Sequence, residues 1–189
     1  HRGQLSEGDT VVVVGAGGVG LSAVMGANMA GAKRIIAVDR AASKKNLSIN
    51  LGATHFVTAD DRAIDEVLNL TEGRGADVVI EAIGNTALQE SWLRAVRPGG
   101  TMVLVGVPST SDSTSFISAD LIRSEKTIKG SYYAAADTGQ AIDDLCAAYL
   151  QGRLPVDRLI SKRVAIQDIQ LAIDAMLTGA EGRTVIAFD

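Results

Sequence analysis

Residues 11–14 are four valines in succession, and segments 34–39 and 76–82 are nearly as apolar, with Val, Ile or Ala at most positions. A short run without polar alternation suits a strand buried on both faces of a parallel sheet. Between these runs apolar residues recur at the spacing of a helix face: Leu21, Val24, Met25 and Met29; Ile64, Val67 and Leu68; Leu88, Trp92, Leu93 and Val96. Three further strands are expected at 54–58, 101–106 and 127–133. Strand and helix then alternate through six strands and five crossovers, which predicts a doubly wound α/β fold around a six-stranded parallel sheet.

Gly52 follows the helical stretch ending near Leu51, and Arg97, Pro98, Gly99 and Gly100 separate a helix from the next strand. Past residue 133 the pattern changes. A helix with Ile142, Leu145, Cys146, Tyr149 and Leu150 on one face is expected, then a break at Pro155 and a second helix with Ile169, Ala172, Ile173, Met176 and Leu177. A last strand is expected at 184–188. The chain thus divides into 1–133, which carries the sheet, and a helix-helix-strand segment, 134–189. The Ser- and Thr-rich stretch 109–115 reads as a polar surface loop.

The 189 residues are 47% hydrophobic and 21% charged with a formal net charge of −4, and no basic run traces a phosphodiester backbone. Nucleic acid is therefore not an expected partner. No apolar stretch reaches the ~20 residues of a membrane span, and His1 to Gln4 carry no signal-peptide core, so a cytoplasmic protein is expected. One cysteine, Cys146, excludes a disulfide or a multi-cysteine zinc site within the chain. Its place on an apolar helix face predicts a core thiol. His55, in a strand-like segment beside Phe56, reads as a structural or surface histidine.

Directly after the first strand come Gly15, Ala16, Gly17, Gly18, Val19 and Gly20, matching G-x-G-x-x-G, and then a helix-spaced stretch. Gly15 permits a tight turn, Gly17 lets backbone approach a pyrophosphate, and Gly20 lets the helix pack closely on the strand. Amides near Gly18 and Val19 would face the anion. Asp39 ends the second strand about 20 residues later, where a carboxylate can accept a ribose hydroxyl. A glycine turn alone also arises for steric reasons, and a strand-end carboxylate can be merely solvated. Strand, turn, helix and acid together predict a dinucleotide site on a Rossmann sheet. A methyltransferase would use a similar sheet, usually with G-x-G-x-G, whereas here position 19 is Val and position 20 is Gly.

In these motifs the chain resembles the zinc-type alcohol dehydrogenases of the medium-chain dehydrogenase/reductase superfamily. GAGGVGLSAVMGANMAGAKRIIAVDR at 15–40 is similar to their coenzyme-binding fingerprint. LGAT at 51–54, GADVVIEAIG at 75–84, RPGGTMVLVGVP at 97–108, TIKGSYY at 127–133 and GRTVIAF at 182–188 recur in the family's order. The resemblance implies the C-terminal, coenzyme-binding half of such an enzyme. The Cys, His and Cys or Glu ligands of the catalytic zinc belong to a preceding catalytic domain and are absent here.

Carried over by position, the resemblance implies Lys44 at the adenosine ribose beside Asp39, although a helix-surface lysine is the alternative. It implies Ala82 and Ile83 on the adenosine side, Val105 and Val107 beside the nicotinamide, and backbone groups of Ser131 and Tyr133 at the carboxamide. Arg183 corresponds to an arginine near the pyrophosphate, against the alternative of a solvated charge before an edge strand. The expected cofactor is NAD rather than NADP, because Asp39 would repel a 2′-phosphate; Arg40, which could receive that phosphate, is expected along the adenine face or in solvent.

The activity so implied is oxidation of a small alcohol, or reduction of an aldehyde, with zinc favouring loss of the alcohol proton and hydride passing to the nicotinamide. This chain's share is to hold and orient the cofactor; no catalytic or metal-ligating residue is expected in it. A zinc-free quinone or enoyl reductase, or a non-catalytic dinucleotide-binding module, remains the alternative. A homodimer through the 127–133 edge is expected, unless Lys126 and Lys129 protect that edge.

Overall fold

A computed structural model describes residues 3–132, 137–177, 179 and 182–188. The first strand, β1 (Thr10–Val14), leads into α1 (Gly18–Met29) and then β2 (Arg34–Asp39). There follow α2 (Lys45–Asn50), β3 (His55–Thr58), α3 (Ala63–Leu70), β4 (Ala76–Glu81), α4 (Thr86–Trp92) and β5 (Val96–Leu104). After α5 (Ser118–Arg123), β6 (Thr127–Gly130) completes a parallel sheet of order β3-β2-β1-β4-β5-β6. This is the doubly wound order, in which the chain reverses direction between β1 and β4 and leaves a crevice at their carboxyl ends.

The valine run earns its place in the centre of that sheet. Val11 and Val13 enter the core layer under α1 with Leu21, Val24 and Met25, while Val12 and Val14 enter the opposite layer with Val67, Trp92 and Met102. Both faces of β1 are covered, which accounts for the unbroken apolar run from Val11 to Val14.

The limits of β5 and β6 differ from the sequence reading. β5 begins at Val96, because Ala76 pairs with Val96 before an irregularity and the ladder resumes at Val78 and Thr101. The expected Arg97 to Gly100 turn is thus a bulge inside the strand. β6 ends at Gly130, although the Ser131 N–H still donates to the Leu104 carbonyl at 2.9 Å. Tyr133 lies outside the described residues.

The C-terminal part holds α6 (Thr138–Leu150), an unexpected strand β7 (Ile160–Ala165), α7 (Ile169–Leu177) and β8 (Arg183–Ala187), with β7 and β8 forming a separate parallel pair. Ala148, Leu154 and Leu159 join the core layer of α1. The expectation of a core thiol is wrong, since Cys146 is exposed. Ile142, Leu145, Tyr149 and Leu150 are exposed with it. α6 has the apolar face that the sequence predicts, but it contacts the core through Ala148 and leaves that face uncovered among the described residues. Lys126 is not an edge charge either. It turns inward, its Nζ donating to the Leu93 carbonyl at 2.9 Å, and burial lowers its pKa despite nearby Asp120.

Candidate functional site

The site lies at the carboxyl ends of β1, β2, β4 and β5. Gly15 turns the chain out of β1 with φ +99°, a conformation that favours glycine, and a Cβ there would meet Ile83 Cγ1 at 2.6 Å. A Cβ on Gly20 would collide with the Gly15 carbonyl, so the first turn of α1 is pressed against the loop that precedes it. Gly17, the exposed N-cap, has open space where a side chain would stand. No side chain caps α1 and its first turn contains no acid, so the amides that open the helix take no side-chain acceptor at the cap. Val19 stands exposed beside it.

Arg183 reaches this turn from β8: a Cβ added to Gly18 would strike its guanidinium. A cation distant in sequence is thereby placed on the glycine loop, where the sequence reading put an arginine near a pyrophosphate.

At the end of β2, Asp39 is held on three sides. Its Oδ2 accepts the Ala16 N–H at 2.8 Å and the Lys44 Nζ at 3.0 Å, and its Oδ1 accepts the Ala41 N–H at 3.0 Å. The Asp39 and Lys44 side chains are each 12% exposed. Burial pushes the Asp39 carboxyl upward, but the bonds from Ala41, Lys44 and Ala16 outweigh it and leave its pKa below the ordinary value. Lys44 is therefore a partner of Asp39 rather than a free surface lysine. Arg40 is exposed in the same turn.

On the other side of β1, Ala82 and Val105 are half-buried, whereas Ile83 is 52% and Val107 72% exposed. Ile83 and the Ala82 backbone border the glycine loop at Gly15, while Val107 lies against Gly84. Ser131 is half-buried at the end of β6. The structure brings together the glycine loop, Asp39, Lys44, Ile83 and Arg183; among the described residues no side-chain hydrogen bond or ion pair joins Arg40 or Ser131 to that group.

Two features of the site were not read from the sequence. Gly84, with φ +85°, crosses Gly106 so closely that a Cβ on Gly106 would strike the Gly84 nitrogen, which presses together the loops after β4 and β5. Beneath them lies Glu81, with no exposure at all. Its one sequence signal is a charge directly after the apolar run Val78, Val79 and Ile80. A second buried acid, Asp77, sits at the opposite, amino end of β4. It accepts from Arg74 at 2.7 and 3.0 Å, from Arg97 Nε at 2.6 Å and from the Thr10 N–H at 2.8 Å.

Among the described residues no group of three or more His, Cys, Asp or Glu could hold a metal ion. His55 sits away from any such group, its Nδ1 2.9 Å from the Thr54 hydroxyl. No helix among them is long and apolar enough to cross a membrane.

A family model described as zinc-binding dehydrogenase matches residues 18–148. The NDMA-dependent alcohol dehydrogenase of Amycolatopsis methanolica is 33% identical over 98% of this chain, which covers 51% of that protein. The benzyl alcohol dehydrogenase of Acinetobacter calcoaceticus superposes with a TM-score of 0.92 at 28% identity, over 100% of this chain and 52% of its own. A protein of Sinorhizobium meliloti 1021 whose structure carries NADP superposes with a TM-score of 0.80 at 28% identity, over 98% and 53% of the two chains. The chain spans about half the length of the curated relatives it matches.

Proposed function

This chain belongs to the zinc-binding dehydrogenase family, and from that premise we propose that it is the coenzyme-holding half of an NAD-dependent alcohol dehydrogenase acting on a small alcohol or aldehyde. The observation that carries this reading is the nearly buried Asp39 carboxylate, tied by Ala16 N–H to the same glycine loop that opens α1. The residues present fit a dinucleotide. Gly17 and the uncapped start of α1 leave room and amide donors for a pyrophosphate, and Arg183 supplies a counter-charge.

A carboxylate has about four acceptor sites, and Ala16, Ala41 and Lys44 fill three of those on Asp39. One remains for a ribose hydroxyl. Lys44, with ammonium hydrogens beyond the one given to Asp39, serves the other hydroxyl. Ile83 forms the wall on the adenosine side, with Arg40 outside it. Val105 and Val107 bound the far end, where the bound nicotinamide supplies hydride transfer, and the backbone of Ser131 faces its carboxamide.

In this reading the chain's own residues bind the cofactor and exclude water from one face of it. Its described residues offer no ligand set that fits zinc, and zinc ligation belongs to the part of the enzyme that this chain does not cover. Residues 1–133 form the coenzyme domain and 134–189 belong structurally with that other part; the uncovered face of α6 supports this division. Two copies pair through β6, which has β5 as its one neighbour in the sheet. With no membrane-spanning helix among the described residues and an unpaired cysteine, a cytoplasmic setting fits best.

Calorimetric titration with NADH tests the reading. A saturable one-site isotherm per chain, without alcohol turnover by the 189 residues alone, is the expected result. Absence of NADH binding contradicts it.

A further inference from the structure

We infer that Glu81 is a positioning residue that fixes both loops against which the dinucleotide lies; the inference rests on the coenzyme reading above. Its backbone carbonyl accepts the N–H groups of Val105 at 2.9 Å and Gly106 at 3.0 Å, which holds the start of the loop after β5. Its side-chain Oε1 accepts those of Ile83 and Gly84, both at 2.7 Å, which holds the loop after β4. One residue thus grips two loops, at the place where Gly84 and Gly106 cross.

The grip extends outward. Glu81 Oε2 accepts Gln89 Nε2 at 3.1 Å, and Gln89 Oε1 accepts the Thr114 hydroxyl at 2.7 Å. The Ser- and Thr-rich stretch after β5 is thereby tied to the floor of the crevice through two buried side chains.

Strand pattern does not call for an acid here. Glu81 is fully buried at the end of a strand whose neighbours are Val78, Val79 and Ile80, and burying a carboxylate carries a large desolvation cost. An apolar residue would continue the core. What it could not do is accept two successive N–H groups from a loop that has already left the sheet. Ile83 needs that support, because it packs on Gly15 and is half-exposed toward the crevice. Glu81 has no exposed surface of its own and acts through Ile83, Gly84, Val105 and Gly106.

The test is NADH titration of the wild-type protein, Glu81→Gln, Glu81→Ala and Thr114→Val, at a temperature where circular dichroism shows each to be folded. Glu81→Gln keeps one oxygen for the two N–H groups, and reversal of the Gln89 amide preserves the arm to Thr114. Its Kd should stay within about threefold of wild type. Glu81→Ala takes the acceptor from three donors, the Ile83 and Gly84 N–H groups and Gln89 Nε2, and should raise Kd by about thirtyfold or more. Thr114→Val, remote from the cofactor, should raise it by about threefold.

A purely structural role would lower the melting temperature and leave the Kd of the folded protein unchanged. Wild-type Kd in folded Glu81→Ala therefore overturns the inference. If Glu81→Ala does not fold, an unchanged Kd in Thr114→Val overturns it. Failure of the wild-type protein itself to bind NADH is a distinct result, which overturns the coenzyme reading and this inference with it.

Discussion

Asp39 and Lys44 form an ion pair at 3.0 Å in which each side chain is 12% exposed. The same Asp39 oxygen accepts Ala16 N–H from the glycine loop, so the end of β2 and the turn after β1 are one hydrogen-bonded unit. Replacing Lys44 by Ala removes one charge-assisted bond and should cost about 1 kcal/mol of stability. Urea unfolding at neutral pH measures it, and NADH affinity should fall in parallel by about fivefold, since ~1 kcal/mol corresponds to that factor. An unchanged affinity would mean that Lys44 serves the Asp39 carboxylate and not the ribose.

Gly20→Ala should be far more damaging than its size suggests. The new methyl group would strike the Gly15 carbonyl, and backbone, unlike the end of a flexible side chain, cannot swing aside. A loss of about 1–3 kcal/mol is expected for such overpacking. Cofactor binding should fall with it, because the loop must open to make room. Chemical denaturation and NADH titration of the variant check both.

Asp77 should govern the acid limb of the stability curve together with Asp39. Burial pushes the Asp77 carboxyl up, but Arg74, Thr10 N–H and Arg97 more than reverse this and hold it far below the usual carboxylate range. A group whose folded pKa is depressed contributes stability that is complete above its unfolded pKa and is lost as pH falls through the folded value. Both carboxylates should therefore stabilise fully above about pH 5, and progressively less below about pH 4. Asp77→Asn should cost about 2 kcal/mol at pH 7, a value reduced from that of a fully buried pair because Arg74 is 55% exposed. The gap between variant and wild type should narrow as pH approaches 2. A gap that is constant with pH would contradict the ion-pair account.

What was legible in the sequence follows from how local its physics is. Four valines in a row leave no polar face, and a strand with both faces covered is the direct consequence; the glycine loop is equally local, because Gly15 is demanded by its own backbone angle and Gly20 by the Gly15 carbonyl five residues before it. β7 was not legible because Ser161, Lys162 and Arg163 are exposed, so a strand in a two-stranded pair looks like loop. Cys146 was misread for a related reason: helical spacing identifies an apolar face but not what covers it. Glu81 and Asp77 needed the fold. Their partners lie on other elements, and a lone acid in an apolar run does not say whether it ends the strand or is buried within it.

The β6 edge gives a prediction about assembly. With Lys126 turned onto the Leu93 carbonyl and Lys129 bonded to Gln4 Oε1 at 2.8 Å, neither lysine is directed to guarding the strand, and an unguarded edge favours pairing. Analytical ultracentrifugation should show a dimer. A monomer at every concentration tested would contradict the proposed pairing.

The central claim is that Asp39 selects NAD. At about 4 Å, two like unit charges repel by ~4 kcal/mol at an effective dielectric of 20. Lys44 and solvent offset part of that, and a residual ~1.4 kcal/mol is still tenfold in affinity. Exposed Arg40 is the opposing feature, and a structural neighbour from Sinorhizobium meliloti does carry NADP. The deciding measurement is calorimetric titration of wild type and Asp39→Gly with NADH and NADPH under one buffer. The account predicts at least about tenfold tighter NADH binding by wild type and a shift toward NADPH in Asp39→Gly. Equal affinities in wild type, or no shift on removing the carboxylate, would contradict it.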